Sequence, residues 1–193
     1  MNMEEKKERI LSVAQKIFAR FGIQKTTMDE IAKMARMGKA TLYYYFKSKE
    51  EIFAQVIHKE SRVLKKKLQE AISKADTPQE KIKAYVLTRM MHLKELSNYY
   101  STLTDKYLEH YSFVENERKD FTEYEIKTLT EILKQGIEQN VFGMQDVELA
   151  ARMIAIALKG LEYPLIVENK NNNNMEDEIN QMLNILFKGL EIR

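Results

Sequence analysis

Cysteine is absent from this chain of 193 residues, which excludes disulfides, thiolate metal sites and a cysteine nucleophile and fits a reducing compartment. Proline and glycine are scarce, at two and six residues, so few positions can break a helix. The glycines stand alone, leaving no phosphate-cradling glycine loop and no G-x-S-x-G elbow. No uncharged apolar run approaches the roughly 18 residues that a bilayer span needs. The start, MNMEEKKERIL, mixes acids with bases and lacks the apolar stretch of a signal peptide. The expectation is a cytoplasmic protein with no membrane partner. The histidines, His58, His92 and His110, are far apart and have no partner at ligand spacing, so no metal and no other cofactor is expected. Carboxylate pairs such as Glu50 with Glu51 sit where capping and solvation explain them, and nothing argues for an enzyme.

Charge is plentiful and unevenly placed. Residues 1–75 hold 17 Lys plus Arg against 9 Asp plus Glu, a net of +8; the remainder holds 14 against 20, a net of −6. A basic N-terminal part is what contact with phosphate requires. Almost every segment has helical apolar spacing and no strand pattern or internal repeat stands out, so the fold is expected to be all-α. A first helix spans about Glu4 to Phe21, with Ile10, Ala14, Ile17, Phe18 and Phe21 inward and a Schellman-type stop at Gly22.

The densest pattern is residues 26–49, TTMDEIAKMARMGKATLYYYFKSK. Thr27 and Glu30 have the S/T-x-x-E spacing of a capping box, and Met28, Ile31, Ala32 and Ala35 form one apolar face behind it. The chain can reverse at Arg36, Met37 and Gly38, leaving a second short helix from Lys39 to Tyr45. Leu42 and Phe46, four apart, point inward; Lys39, Ala40, Tyr43 and Tyr44 take the other face. Three adjacent tyrosines cannot all face inward on a 3.6-residue helix. Small residues near a helix start admit close approach to base edges, and tyrosine and lysine reach phosphate oxygens. Ser48 and Glu51 make a further capping box, with Lys49 in the first turn, where a phosphate is favoured.

This segment resembles the helix-turn-helix of the TetR family of bacterial repressors, whose common form reads roughly A-G-V-S-K-G-T-L-Y-x-Y-F-x-S-K-E. Ala35, Lys39, Thr41, Leu42, Tyr43, Tyr45, Phe46, Ser48, Lys49 and Glu50 stand in matching places. Arg36 replaces the usual glycine, and Gly38 and Ala40 stand where Ser and Gly are common. A left-handed Arg36 costs on the order of 1 kcal/mol. The resemblance implies DNA contacts from Thr27, Lys39, Thr41, Tyr43, Tyr44, Tyr45 and Lys49, with Lys39, Ala40 and Tyr44 nearest the bases. It also implies a dimer closed by the last two helices of each subunit and an effector site in the middle helices.

Three parts are expected: a helix-turn-helix domain over 1–48, a linking helix over 49–76, and a helical effector-binding and dimerisation domain over 77–193. The linking helix carries Phe53, Val56, Ile57, Leu64 and Leu68, with Lys65, Lys66 and Lys67 as a solvated face. Thr77, Pro78 and Glu80 give the next helix an N-cap, an N1 proline and a capping box; Ile82, Val86, Arg89, Met90 and Leu93 line it. A shorter helix carries Tyr100, Leu103, Tyr107 and Tyr111. A longer one runs from about Val114 to Gln139 and ends in a turn to which Gly143 lends flexibility. Asp146 caps a helix to about Glu168, bent or ended near Pro164. Residues 169–174, NKNNNN, read as a surface loop before a last helix over about Met175 to Ile192.

Met90, Leu103, Tyr107, Tyr124 and Met153 are the candidate effector-binding residues, because methionine adapts to varied shapes and tyrosine places a hydroxyl in an apolar wall. Ile154, Leu158, Leu161 and Leu165, with Leu183, Leu186 and Leu190, form two long apolar stripes read as a homodimer interface. The reading is a transcriptional repressor that binds a palindromic operator as a dimer and is released by a small apolar or aromatic effector. The alternatives are an effector-independent activator or a DNA-organising protein using the same helix-turn-helix; an enzyme or a pure protein-interaction module stands further off.

Overall fold

The computed structural model describes residues 2–95, 112–113, 115–162 and 175–190. Among them lie α1 (Met3–Lys25), α2 (Met28–Met34), α3 (Lys39–Tyr45), α4 (Lys49–Ile72), α5 (Pro78–Glu95), α6 (Lys119–Glu138), α7 (Val147–Glu162) and α8 (Met175–Leu190), with no β-strand. The expected all-α fold is the one found. The short helix around Tyr100 to Tyr111, the bend near Pro164 and the NKNNNN loop lie outside the described residues.

The chain divides into two compact units, one of Met1–Arg62 with Leu96–Arg118 and one of Val63–Glu95 with Lys119–Arg193. The sequence pattern places divisions at 48 and 76; here residues 49–62 of α4 belong to the first unit and 63–72 to the second.

Helix ends follow their caps. Asn2 and Glu5 form a reciprocal capping box, so α1 begins one residue before its expected start. Thr77 and Glu80 do the same for α5, the Glu80 carboxylate also accepting from the Asp76 amide. Asp146 Oδ1 accepts from the Leu149 amide at 2.9 Å at the start of α7. The α1 helix is interrupted at Gly22, where φ is 75° and ψ 161°; this extended ψ departs from the Schellman geometry, and residues 23–25 add a further turn. Phe21, expected inward, is 48% exposed just before that break, with the Arg20 guanidinium over its ring.

In the first unit Ile10, Leu11, Ala14, Ile17 and Phe18 of α1 bury against Ile31 and Ala32 of α2, Leu42 of α3, Phe46, and Ile52, Phe53, Val56 and Ile57 of α4. Phe18 and Phe53 meet edge to face at 5.3 Å.

In the second unit α5 packs against α6, α7 and α8. Its inward side is broad: Ile82, Tyr85, Val86, Arg89, Met90 and Leu93 are all buried, and Glu80, Lys83 and Met91 are exposed on the opposite side. The Arg89 guanidinium pairs with Glu125 of α6, and the Tyr85 hydroxyl donates to the same carboxylate oxygen at 2.8 Å. All three side chains are fully buried, and burial, then the Glu125 charge, pushes the Tyr85 phenol well above the usual range.

The α6 helix begins at Lys119, later than expected, and ends through Asn140, whose φ is 57°. The Val141 amide reaches back to Gly136 O at 2.8 Å and the Asn140 amide to Ile137 O at 2.9 Å, the two bonds of a Schellman motif. The left-handed residue of this turn is thus Asn140, while the Gly143 amide donates to Leu190 O at 2.8 Å. A Cβ at Gly136 would collide with the ring of Phe142, which is buried and stacked on Phe187.

Two stability outcomes are expected from urea unfolding. Arg89→Met leaves Glu125 buried without its guanidinium and costs about 3–5 kcal/mol, whereas adding Glu125→Leu together with Tyr85→Phe, which removes the hydroxyl that donates to Glu125, recovers most of it. Gly136→Ala displaces the Phe142 ring and costs about 1–3 kcal/mol.

Candidate nucleic-acid interface

The candidate reader consists of two helices of seven residues each, too short to be stable unaided. At the start of α2, Thr27 Oγ1 accepts from the Glu30 amide at 3.2 Å and Glu30 Oε2 accepts from the Thr27 amide at 2.8 Å, closing the expected box. The Thr27 amide, and then the Thr27 hydroxyl at 2.9 Å, both donate to Glu30 Oε2 and hold its carboxyl below the ordinary carboxylate range. The end of α2 is a full Schellman motif: the Met37 amide donates to Ala32 O and the Arg36 amide to Lys33 O, with Arg36 left-handed at φ 52°. Arg36 therefore does adopt the strained conformation that its position demands.

Gly38 caps α3 through its backbone alone. Leu42 and Phe46 are buried, Lys39, Ala40 and Tyr43 are exposed, and Tyr44 is 76% exposed. Thr41 is half-buried. Tyr45, among the residues for which the resemblance implies a DNA contact, is half-buried against the core, and the Tyr44 ring meets it edge to face at 5.3 Å.

Lys49, expected to favour a phosphate, is half-buried, and its ammonium donates to Gln24 O at 3.2 Å and Thr26 O at 3.1 Å, the carbonyls where α1 ends. Thr26 is buried, its hydroxyl donating to Gly22 O at 2.8 Å. Lys49 thus ties the start of α4 to the end of α1. Nearby, Ser48 Oγ accepts from the Glu51 amide, but the Glu51 carboxylate reaches back to the Lys47 amide, one residue beyond the expected box. An open cleft of about 420 Å³ is lined by Thr27, Asp29, Lys39, Tyr43, Lys47 and Lys49 among others. Sequence patterns alone do not point to Asp29, whose carboxylate binds the Lys39 ammonium at 2.7 Å and holds it above the ordinary lysine range by hydrogen bond and charge.

The sites expected in the second unit are less convergent. Met90 is fully buried, Tyr124 is half-buried with its hydroxyl 3.4 Å from Lys65 O and the Lys65 ammonium over its ring, and Met153 is 48% exposed on α7. Leu103, Tyr107 and Leu165 lie outside the described residues. Ile154, Leu158 and Leu183, expected at the interface, are buried in the chain's own core, and Leu161, Leu186 and Leu190 are half-buried. The large apolar side chains exposed on the described parts of these helices are Leu149, Met153, Ile156 and Ile185, between 48 and 75% exposed. The apolar stripes are present, but their richer side faces inward.

Residues 10–56 match the model of the bacterial regulatory proteins of the tetR family, and residues 78–183, more than half of the chain, match the tetracyclin repressor-like C-terminal domain. The chain belongs to the TetR family. It is accordingly a DNA-binding transcriptional regulator and not an enzyme. The HTH-type transcriptional regulator QacR of Staphylococcus aureus is 27% identical over 95% of this chain and 97% of its own. The HTH-type regulator YhgD of Bacillus subtilis is 43% identical over 68 residues, about a third of either chain. Among solved structures, FadR of Bacillus subtilis in complex with stearoyl-CoA superposes with a TM-score of 0.73 over 94% of this chain and 98% of its own, at 23% identity. No described helix is long and apolar enough to cross a membrane.

The capping box carries a pH signature. Because the Glu30 value is depressed in the folded state, its stabilisation is present above the unfolded carboxyl value, near 4.5, and is lost as pH falls through the folded value. An NMR titration of Glu30 is expected to give a midpoint below 4.5 in the native protein, moving up towards 4.5 in Thr27→Ala.

Proposed function

We propose that this regulator is a repressor that binds a palindromic operator as a homodimer and is released by a small apolar or aromatic effector. The observation that carries the DNA reading is the division of α3: Leu42 and Phe46 buried, Tyr44 standing 76% exposed beside exposed Lys39 and Ala40. A helix so divided presents a small residue, a cation and a phenol to a groove while its other side holds it in place. Thr27, Lys39, Thr41, Tyr43 and Tyr44 are the proposed DNA ligands, with Lys49 contributing by fixing the start of α4.

One helix-turn-helix reads one half-site, and a two-fold dimer sets two readers about 34–36 Å apart. The proposed partner face is Leu149, Met153 and Ile156 of α7 with Ile185 of α8, since 149, 153 and 156 fall on one side of a helix and remain exposed in the chain. Gly160 and Gly189 leave open space on the same two helices, which admits close approach. Effector binding is assigned to the second unit around Met90 and Tyr124. FadR, a structure with this fold, carries stearoyl-CoA, a ligand with a long apolar chain. An effector acts only through its differential affinity for two conformations, and α4, which contributes to both units, is the element proposed to carry the change.

Selection of binding sites from a random duplex library at near-physiological salt is expected to enrich an inverted repeat; failure to enrich any sequence with folded protein would sink the reading. Lys39→Ala with Tyr44→Ala is expected to weaken operator binding at least tenfold, by about 1–3 kcal/mol for each base-edge interaction removed, with unchanged circular dichroism. In sedimentation, Ile156→Glu with Ile185→Glu is expected to give a folded monomer. Leu158→Ala is expected to lower stability by about 2–5 kcal/mol through its place in the core, without acting at the partner face.

A further inference from the structure

A protein face that meets a polyanion has little use for an exposed carboxylate, yet Asp29 stands in the cleft of the reader with its side chain 64% exposed. Both of its oxygens lie on the Lys39 ammonium, at 2.7 and 3.1 Å. Exposed ion pairs contribute little to stability, and the cap of α2 is already made by Thr27 and Glu30. The consequence of the pair therefore falls on binding.

We propose that Asp29 is a specificity-determining residue of DNA reading, tethering the Lys39 ammonium at the head of the recognition helix so that it serves a base edge and not the phosphates. An ammonium has three N–H donors. With one donated to Asp29 Oδ2 and the ammonium held against both carboxylate oxygens, N–H donors remain for an acceptor in the groove, such as guanine O6 or N7. The tether restricts a long, rotamer-rich side chain before DNA arrives, so less entropy is lost on making a directed hydrogen bond. It also makes the pair electrically neutral as a unit. On random DNA, where only counterion release favours a cation, Lys39 then contributes nothing unless it abandons Asp29 and leaves a bare carboxylate facing phosphate. Asp29 thus lowers the affinity for arbitrary sequence while leaving the directed hydrogen bond intact.

The inference rests on the DNA-binding reading above, and the two fail in different ways. Wild-type protein that shows no preference between the selected operator and a random duplex of equal length overturns that reading, and this inference with it, before any variant is made. Given a preference, Asp29→Asn is measured on both duplexes across a salt series. The expected result is about a threefold or greater gain in affinity for the random duplex, a log–log salt dependence steeper by about 0.9, and a smaller gain on the operator, so that the specificity ratio falls. In a Lys39→Met background the same Asp29→Asn change is expected to leave the ratio unmoved. A ratio unaltered by Asp29→Asn with Lys39 present, or altered equally in its absence, would assign Asp29 general repulsion of DNA at most and overturn the tether. Both side chains are exposed, so the variants are expected to fold, which circular dichroism checks.

Discussion

Burial of Leu42 and Phe46 in the core of the first unit is the constraint on which the reading surface depends. A helix of seven residues is not stable by its own hydrogen bonds, so α3 exists because α1, α2 and α4 hold one side of it. Once those two side chains are seated, the step of about 100° per residue decides where the others point. Lys39, Ala40, Tyr43 and Tyr44 come out together, while Tyr45 is left half-buried, its ring edge to face with that of Tyr44. A change at Leu42 would therefore disturb the proposed reading face from within the core.

The ends of the short helices complete the placement, and they share out the cations in doing so. The Thr27 box fixes the start of α2 and the Arg36 turn fixes its end, so the angle between α2 and α3 is set by backbone hydrogen bonds at both sides of the turn. Lys49 is occupied by the carbonyls of residues 24 and 26, and Lys39 by Asp29. The basic excess of residues 1–75 is therefore not a uniform coating. Part of it is used inside the unit, and a count of lysines overstates what is available to phosphate.

Local chemistry is legible in the sequence and partner choice is not. The Thr27, Thr77 and Asp146 caps and the inward pair Leu42 and Phe46 follow from spacings of three or four residues, which a linear reading contains, while the left-handed Arg36 follows from the family resemblance at that turn. The position of Lys49 in a first turn is local information and suggests a phosphate ligand, whereas the Gln24 and Thr26 carbonyls that take it lie 25 and 23 residues away. Asp29 and Lys39 are ten apart across a turn, and Arg89 and Glu125 thirty-six apart in different helices. No periodicity connects such pairs. The apolar stripes of α7 and α8 mislead in a different way: their residues are two-sided, and which side meets the chain's own core depends on how α5, α6, α7 and α8 pack.

The buried polar cluster of the second unit bears on how that unit can move. A well-packed apolar replacement of a buried ion pair is often neutral or stabilising, so the pair is weak evidence for stability. It does constrain register. Turning or sliding α5 against α6 would draw Arg89 away and leave the Glu125 carboxylate buried without its cation, at about 3–5 kcal/mol, which exceeds the differential affinity of most small ligands. Buried residues of α7 and α8, among them Ala151, Ile154, Ala155, Leu158, Ile179 and Leu183, are apolar and non-directional, and carry no such penalty for a small shift. The α5–α6 contact is therefore fixed by a directional charged pair, whereas the buried side chains of α7 and α8, the helices that bear the exposed apolar face, hold their places by apolar packing.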